Sequence, residues 1–375
     1  MKLYNRFTQL SFLLIIASAT LISYKKKKDE EQTPVIVNPP VVLPLPNVYQ
    51  ADVANYAEAT VNLEMFHELI EATEEGNTVG TEVSESKLNN MLNNISNPFT
   101  GDLTKNSTSK LADIINPNVK ADLATYFKDL ATSSLAKTNG DSLKAGVILG
   151  IGATSGKLYD AAGFANYELI EKGLMGALQL YQITAVQLAD SSLAASVNNT
   201  KRLKKWDLAF GYLGVPKDFT VPYATTYPFW GEYFKTNDET LGGCVNKIMT
   251  AFVNGRKAIE NNTNDLVKTN ADIIKVEMDK VAAGMALTYL FRARKFSLNG
   301  DKGRRNGTAS EGLGFLNALK YHASRKITNS ELDIVIGLVG KNNWTLKIVD
   351  IEAAIVALAT PYGFDANPAT SKFNK

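Results

Sequence analysis

The chain has 375 residues, 40 Lys and Arg against 38 Asp and Glu, and 45% hydrophobic residues. That content is enough for a packed core in one large helical unit or two modest domains. The near-neutral balance, with no basic face and no RNA-binding aromatic motif, excludes a nucleic-acid footprint. One cysteine, Cys244, excludes an internal disulfide and a thiolate metal cluster, and two histidines, His67 and His322, leave few ligands for zinc, copper or haem.

At the N-terminus, Lys2 and Arg6 precede an apolar run from Leu10 to Ile22, the form of a secretory signal over 1–23 and too short for a comfortable membrane span. Leu21-Ile22-Ser23-Tyr24, followed by four lysines and Asp29-Glu30-Glu31, looks like a lipoprotein signal in which Tyr24 replaces the Cys that would carry the lipid. Export to the periplasm or outer-membrane surface is therefore expected. The tether stays open between an uncleaved signal, a soluble secreted form and an altered lipoprotein. Segment 24–48 is charged and then Pro-rich, which favours an extended polyproline-like spacer, with an ordered edge strand as the alternative.

From Ala51 onward the apolar spacing is helical. Tyr56, Ala59, Leu63, Phe66 and Ile70 predict a helix that stops near Gly76, and Ser84 or Ser86 caps a short one running to Ile95. Asn116-Pro117 starts another, with Leu123, Phe127 and Leu130 inward. The Gly-rich stretch 140–163 reads as a short hairpin or irregular loop. Tyr167, Ile170, Leu174, Leu178, Tyr181 and Ala185 then keep one helical face, on which Gly173 and Gly176 should admit a close neighbour. The second half repeats the pattern on stripes through Leu241–Ile259 and Ile274–Tyr289, followed by shorter helices at 311–322, 330–339 and 350–358. The fold class is all-α, a helical bundle over 49–365 in halves of roughly 49–200 and 201–365, with a short irregular or hairpin insertion and a disordered tail at 366–375.

Candidate chemistry is sparse. Gly150-Ile151-Gly152-Ala153-Thr154-Ser155-Gly156-Lys157 follows an apolar run, but Ile151 stands where a phosphate loop needs its first Gly and Leu158 where it needs a hydroxyl, so a flexible loop is the better reading. His67 lies between Glu64 and Glu71 at helical spacing, a weak metal candidate whose ordinary role is a solvated charge pair. His322, near a helix end among basic residues, suits a favourable dipole interaction. Charged groups embedded in apolar sequence are more pointed: Glu168, Glu171, Asp207, Glu232, Arg256 and Glu311. Buried charge is costly unless paired, so these form either a structural network, with Arg256 on a carboxylate, or the lining of a ligand cleft. Phe229 and Trp230 belong to an aromatic loop expected to pack across helix ends or to meet a partner.

With those residues in view the chain resembles an uncharacterised, imelysin-like family of Gram-negative envelope lipoproteins. The segments that carry the likeness are LIEKGLMGALQLYQ at 169–182, WDLAFGYLGVP at 206–216, FWGEYF at 229–234, AFVNGRKAI at 251–259 and SEGLGFLNALKY at 310–321. The resemblance implies an all-α fold of two bundle-like halves with a cleft between, and a link to iron handling or to peptidase activity. The imelysin metal motif Gly-x-His-x-x-Glu is not intact, since its local counterpart Gly173–Leu178 has Met175 and Leu178 in place of imidazole and carboxylate. The expectation is thus a non-enzymatic envelope protein that binds a small ligand or an envelope protein, without a cofactor, in an iron- or metal-uptake setting. Two alternatives stand beside it: a metallopeptidase-like enzyme of the imelysin type, and a structural surface module for protein–protein interaction.

Overall fold

A computed structural model describes residues 48–101, 105–106, 109–217 and 229–375. The signal segment, nearly all of the Pro-rich stretch and residues 218–228 of the aromatic loop lie outside the described residues. In chain order the elements are α1 (Val53–Glu74), α2 (Glu85–Asn93), α3 (Leu111–Ile114), α4 (Lys120–Ser134), β1 (Gly146–Leu149), β2 (Gly156–Tyr159), α5 (Asn166–Leu174), α6 (Asp190–Leu193), α7 (Asn199–Leu213), α8 (Trp230–Asn237), α9 (Cys244–Glu260), α10 (Asn264–Leu298), α11 (Lys302–Leu319), α12 (Asn329–Val339) and α13 (Ile348–Tyr362). The fold is all-α with one antiparallel hairpin, β1 against β2 in the register Gly146↔Tyr159 and Leu149↔Gly156. No helix among the described residues is long and apolar enough to cross a membrane.

Local chemistry sets several boundaries. Asp52 caps α1 through Ala54 N, Ser84 rather than Ser86 caps α2 through Lys87 N, and Thr328 with Glu331 closes a capping box on α12. Pro117 opens a 3₁₀ turn, Pro117–Val119, that runs into α4. The 35-residue α10 is the spine: α9, α11 and α13 pack along it, and α5 lies on the far side of α11. Its central stretch from Val281 to Ala286 is buried on every side, which explains why no single stripe describes it. Helix α7, which carries Trp206 and Asp207, shows no apolar stripe at its start because Leu203 is the one apolar residue in Asn199 to Lys205.

Beyond α5 the chain does not keep the α-helical turn that its apolar spacing suggests. Met175–Leu180 and Gln182–Gln187 are π-helical, with Tyr181 N donating to Gly176 O and Leu188 N to Ile183 O, five residues back. Donors from outside claim carbonyls here: Trp230 Nε1 donates to Met175 O at 3.3 Å and Asn116 N to Ala177 O at 2.8 Å. Gly176 lies against α11, where an added Cβ would fall 2.2 Å from Ala318 Cα; Gly173 has open space and plays no such part. Gly176→Ala is accordingly expected to destabilise by about 1–3 kcal/mol, because the atoms it meets include backbone that cannot rotate away. Urea denaturation reads this directly, and an unchanged midpoint would show that the two helices can part without cost.

The tail also departs from expectation. Phe373 is buried against Phe364 and α10, its ring filling the space over Gly284, so the last ten residues are held to the body rather than disordered.

Candidate functional site

The hairpin is what organises the site. Successive strand residues point to opposite faces, so Lys157 and Tyr159 face α11 while Leu158 turns toward Gly76 and Val83. Tyr159 donates its hydroxyl to Gly303 O at 2.7 Å, fixing β2 on the first turn of α11. Gly307 permits the approach, since a Cβ there would lie 2.9 Å from the Tyr159 hydroxyl. Gly314 does the same for α5, where a side chain would meet Lys172 Cβ at 2.7 Å and Glu168 O at 2.9 Å.

Between these elements lies a cluster of buried charge. Lys157 Nζ donates to Glu168 Oε1 at 2.5 Å and to Glu311 Oε1 at 2.6 Å, while Lys172 Nζ donates to Glu171 Oε2 at 2.5 Å and lies 3.6 Å from Glu168 Oε2. Tyr167 lies under the Lys157 ammonium and Tyr233 under that of Lys172, each ring centroid 5.5 Å away. Three carboxylates face two ammoniums, so the cluster carries one negative charge in excess when fully ionised. The protonation pattern follows. Burial raises the Glu168 carboxyl, but Lys157 and then Lys172 outweigh it and hold the group down at about 2. Burial and the neighbouring Glu168 charge push Glu311 up to about 7. Burial also lifts Glu171, against the pull of Lys172. Lys172 itself is held charged, because Glu171 above all overcomes the cost of its burial.

A cleft of about 200 Å³ opens beside this cluster, between the hairpin and the α10–α11 corner. Lys157, Tyr159, Ser155, Phe296, Arg304 and Thr308 line it. Lys157 thus belongs to both places, its head on the buried carboxylates and its side chain about one-third exposed.

The other charged candidates lie elsewhere. Asp207, fully buried on α7, accepts from Tyr49 Oη at 2.9 Å, Asn55 Nδ2 at 2.8 Å and Arg256 Nε at 3.1 Å, and Arg256 also pairs with Glu260. The carboxylate expected for Arg256 is therefore Asp207. This network fastens Tyr49 and α1 to α7 and α9, and no hydrogen bond or ion pair among the described residues joins it to the Lys157 cluster. Tyr49→Phe should cost about 1.5–3 kcal/mol, the usual net value of a hydrogen bond to a buried charge. A denaturation midpoint equal to wild type would mean that Asp207 needs no third donor.

Several expectations need correction. Glu168, Glu171 and Glu311 come together, but Asp207 and Arg256 form a separate network and Glu232 stands exposed on α8, so no single cleft is lined by all of them. Phe229 and Trp230 are buried rather than presented: Phe229 stacks on Phe66 with centroids 4.2 Å apart, and the Trp230 indole packs on Phe315. Trp230 is anchored because its N–H reaches the π-helical carbonyl of Met175. His67 and Glu64 are exposed, His67 meeting only Glu71, at 3.3 Å, among the carboxylates of its helix. No group of three or more His, Cys, Asp or Glu among the described residues could hold a metal ion. His322 is no helix-end cation, since burial pushes it down to about 4 and leaves a neutral ring that bonds Lys275 O at 2.9 Å. Cys244 is buried with its thiol toward Phe234 O, and burial pushes that thiol up to about 12.

Lys157 and Lys172 went unrecognised as site residues. A local sign existed for Lys172, which stands four residues after Glu168 and next to Glu171. None existed for Lys157, whose partner Glu311 is 154 positions away.

The family described as a domain of unknown function, DUF4856, matches residues 51–364, and the chain belongs to it. No curated protein and no solved structure matches.

Proposed function

We propose that this member of an uncharacterised family is a non-enzymatic binding protein of the cell envelope that holds a small ligand in the cleft beside Lys157. The observation that carries this reading is the coincidence of a small, partly polar cleft with a charge cluster in which each carboxylate is already held by a lysine. Concave sites with a few convergent polar groups are where proteins hold small molecules. A metallopeptidase would need an open carboxylate or imidazole set to activate water, whereas Glu168 and Glu311 are engaged by Lys157 and Glu171 by Lys172. The envelope setting comes from the signal-like N-terminus, where Tyr24 stands in place of the lipid-bearing Cys and offers no thiol for a lipid at that position. Kinship with the imelysins and a role in iron or metal uptake come from the sequence segments quoted above, and the broken Gly-x-His-x-x-Glu motif favours binding over catalysis.

The test is metal analysis of the purified protein together with a peptide-cleavage assay. We expect no stoichiometric zinc and no chelator-sensitive cleavage, and finding both would replace this reading with the enzymatic one.

A further inference from the structure

The cleft has the dimensions and chemistry to say more about its occupant. Its 200 Å³ corresponds to roughly seven water-sized volumes at about 30 Å³ each. An ammonium offers three N–H donors, and Glu168 and Glu311 take two of those of Lys157, leaving one for the cleft that Lys157 lines. Arg304 lies across the opening with its guanidinium over the Phe296 ring, 5.5 Å from the centroid. Among the described residues its one carboxylate neighbour within 4 Å is Asp301, at 3.8 Å, beyond a direct hydrogen bond and already engaged by Ile151 N and Arg304 N. The Arg304 fork is therefore open to an acceptor. Gly150 packs directly against the Arg304 side chain, where an added Cβ would fall 2.4 Å from Cγ. Two cationic donors line the cleft side by side with the apolar surfaces of Phe296 and Ile148, which suits an acidic head on a small apolar body.

We propose that the cleft between Lys157 and Arg304 binds a small oxyanion, of carboxylate or sulfate type, and that the buried cluster takes up a proton as the anion enters; this rests on the ligand-binding reading above. The cluster has one excess negative charge, and a further anion on Lys157 raises the cost of keeping it. Glu311 is where the proton goes. Lys157 and Tyr159 of β2, Glu168, Lys172 and Tyr167 of α5, Tyr233 of α8 and Tyr289 of α10 face it, with Glu171 and Glu74 further round the same cluster. Among these Glu311 is the carboxyl poised near neutrality, whereas Glu168 stays ionised. With Glu311 at about 7 in the free protein, binding at pH 7 completes a half-filled site and takes up about half a proton, and at pH 8 nearly a whole one.

Isothermal titration of the full chain with glutarate and with sulfate tests this, because neither probe changes charge near neutral pH. In two buffers of different ionisation enthalpy the observed heats at pH 7 should differ by about half the difference between those enthalpies, and the affinity should fall about fivefold from pH 7 to pH 8. Arg304→Ala, on the exposed rim, should weaken binding by about tenfold or more, and Glu311→Gln should bind with buffer-independent heat. If Glu311→Gln does not fold, the wild-type pH dependence decides the coupling. Binding with equal heats and no pH dependence overturns the proton uptake, and binding indifferent to Arg304→Ala overturns the site. Failure of both probes to bind at millimolar concentration overturns the oxyanion class while leaving the non-enzymatic reading to its own metal and cleavage assays.

Discussion

Replacing Lys172 by methionine is expected to destabilise the protein by about 3–5 kcal/mol, the cost of removing one partner from a buried ion pair. Lys172 is 5% exposed, and its ammonium meets Glu171 directly and Glu168 more distantly. Without it, two buried carboxylates lose a compensating charge and only Lys157 remains to serve all three acids. The loss is one-sided, since the pair as a whole need contribute little, whereas the orphaned charge bears its full desolvation. The double variant Lys172→Met with Glu171→Gln should therefore recover a substantial part of the deficit. Urea denaturation of the two variants and the wild type is the measurement. A double variant no more stable than Lys172→Met would mean that the lysine acts through its packing on Tyr233 and not through charge.

These charges also mark how far the sequence could be read. The all-α class, the hairpin and several caps were legible because they depend on neighbours a few positions apart: the stripe from Tyr56 to Ile70, Ser84 before α2, Pro117 before α4. The π-helical turn after α5 was not, because Met175 to Gln187 has ordinary helical residues and the cause lies in Asn116 and Trp230, which arrive from elsewhere in the chain. Embedded charge was the right signal for Glu168, Glu171 and Glu311, yet it could not sort them from Asp207, because which carboxylate meets which cation is settled only when α5, α11 and the hairpin pack. Glu232 misled for the same reason: it stands between buried Trp230 and buried Phe234 but falls on the outer side of α8. Lys157 ends a Gly-rich stretch that lacks the spacing of a phosphate loop, so nothing local marks it. Its role comes from strand alternation, which puts it on the face of β2 that meets α11.

Acidification is expected to destabilise the protein through His322, by about 3 kcal/mol between pH 7 and pH 4. His322 is 2% exposed, with Nε2 2.9 Å from Lys275 O and Nδ1 accepting from Ser324 N, an arrangement that suits the neutral ring donating through Nε2. Burial, against the Lys275 carbonyl and reinforced by the charges of Arg325 and Lys275, brings it from 6.5 down to about 4. Above 6.5 the ring is neutral whether the chain is folded or not, so nothing is lost there. Between 6.5 and about 4 the unfolded chain binds the proton and the native one does not, and native stability falls with pH throughout that window. Asp279, which burial pushes up to about 6, and Glu311 work in the opposite direction, so the bare stability curve mixes the contributions. His322→Gln separates them, because its amide can donate to the same carbonyl and cannot titrate. The difference in unfolding free energy between wild type and this variant should shift by about 3 kcal/mol in the variant's favour from pH 7 to pH 4. Parallel curves would show that His322 takes up its proton inside the fold, and that the contact holding the turn after α11 to Lys275 of α10 survives a charged ring.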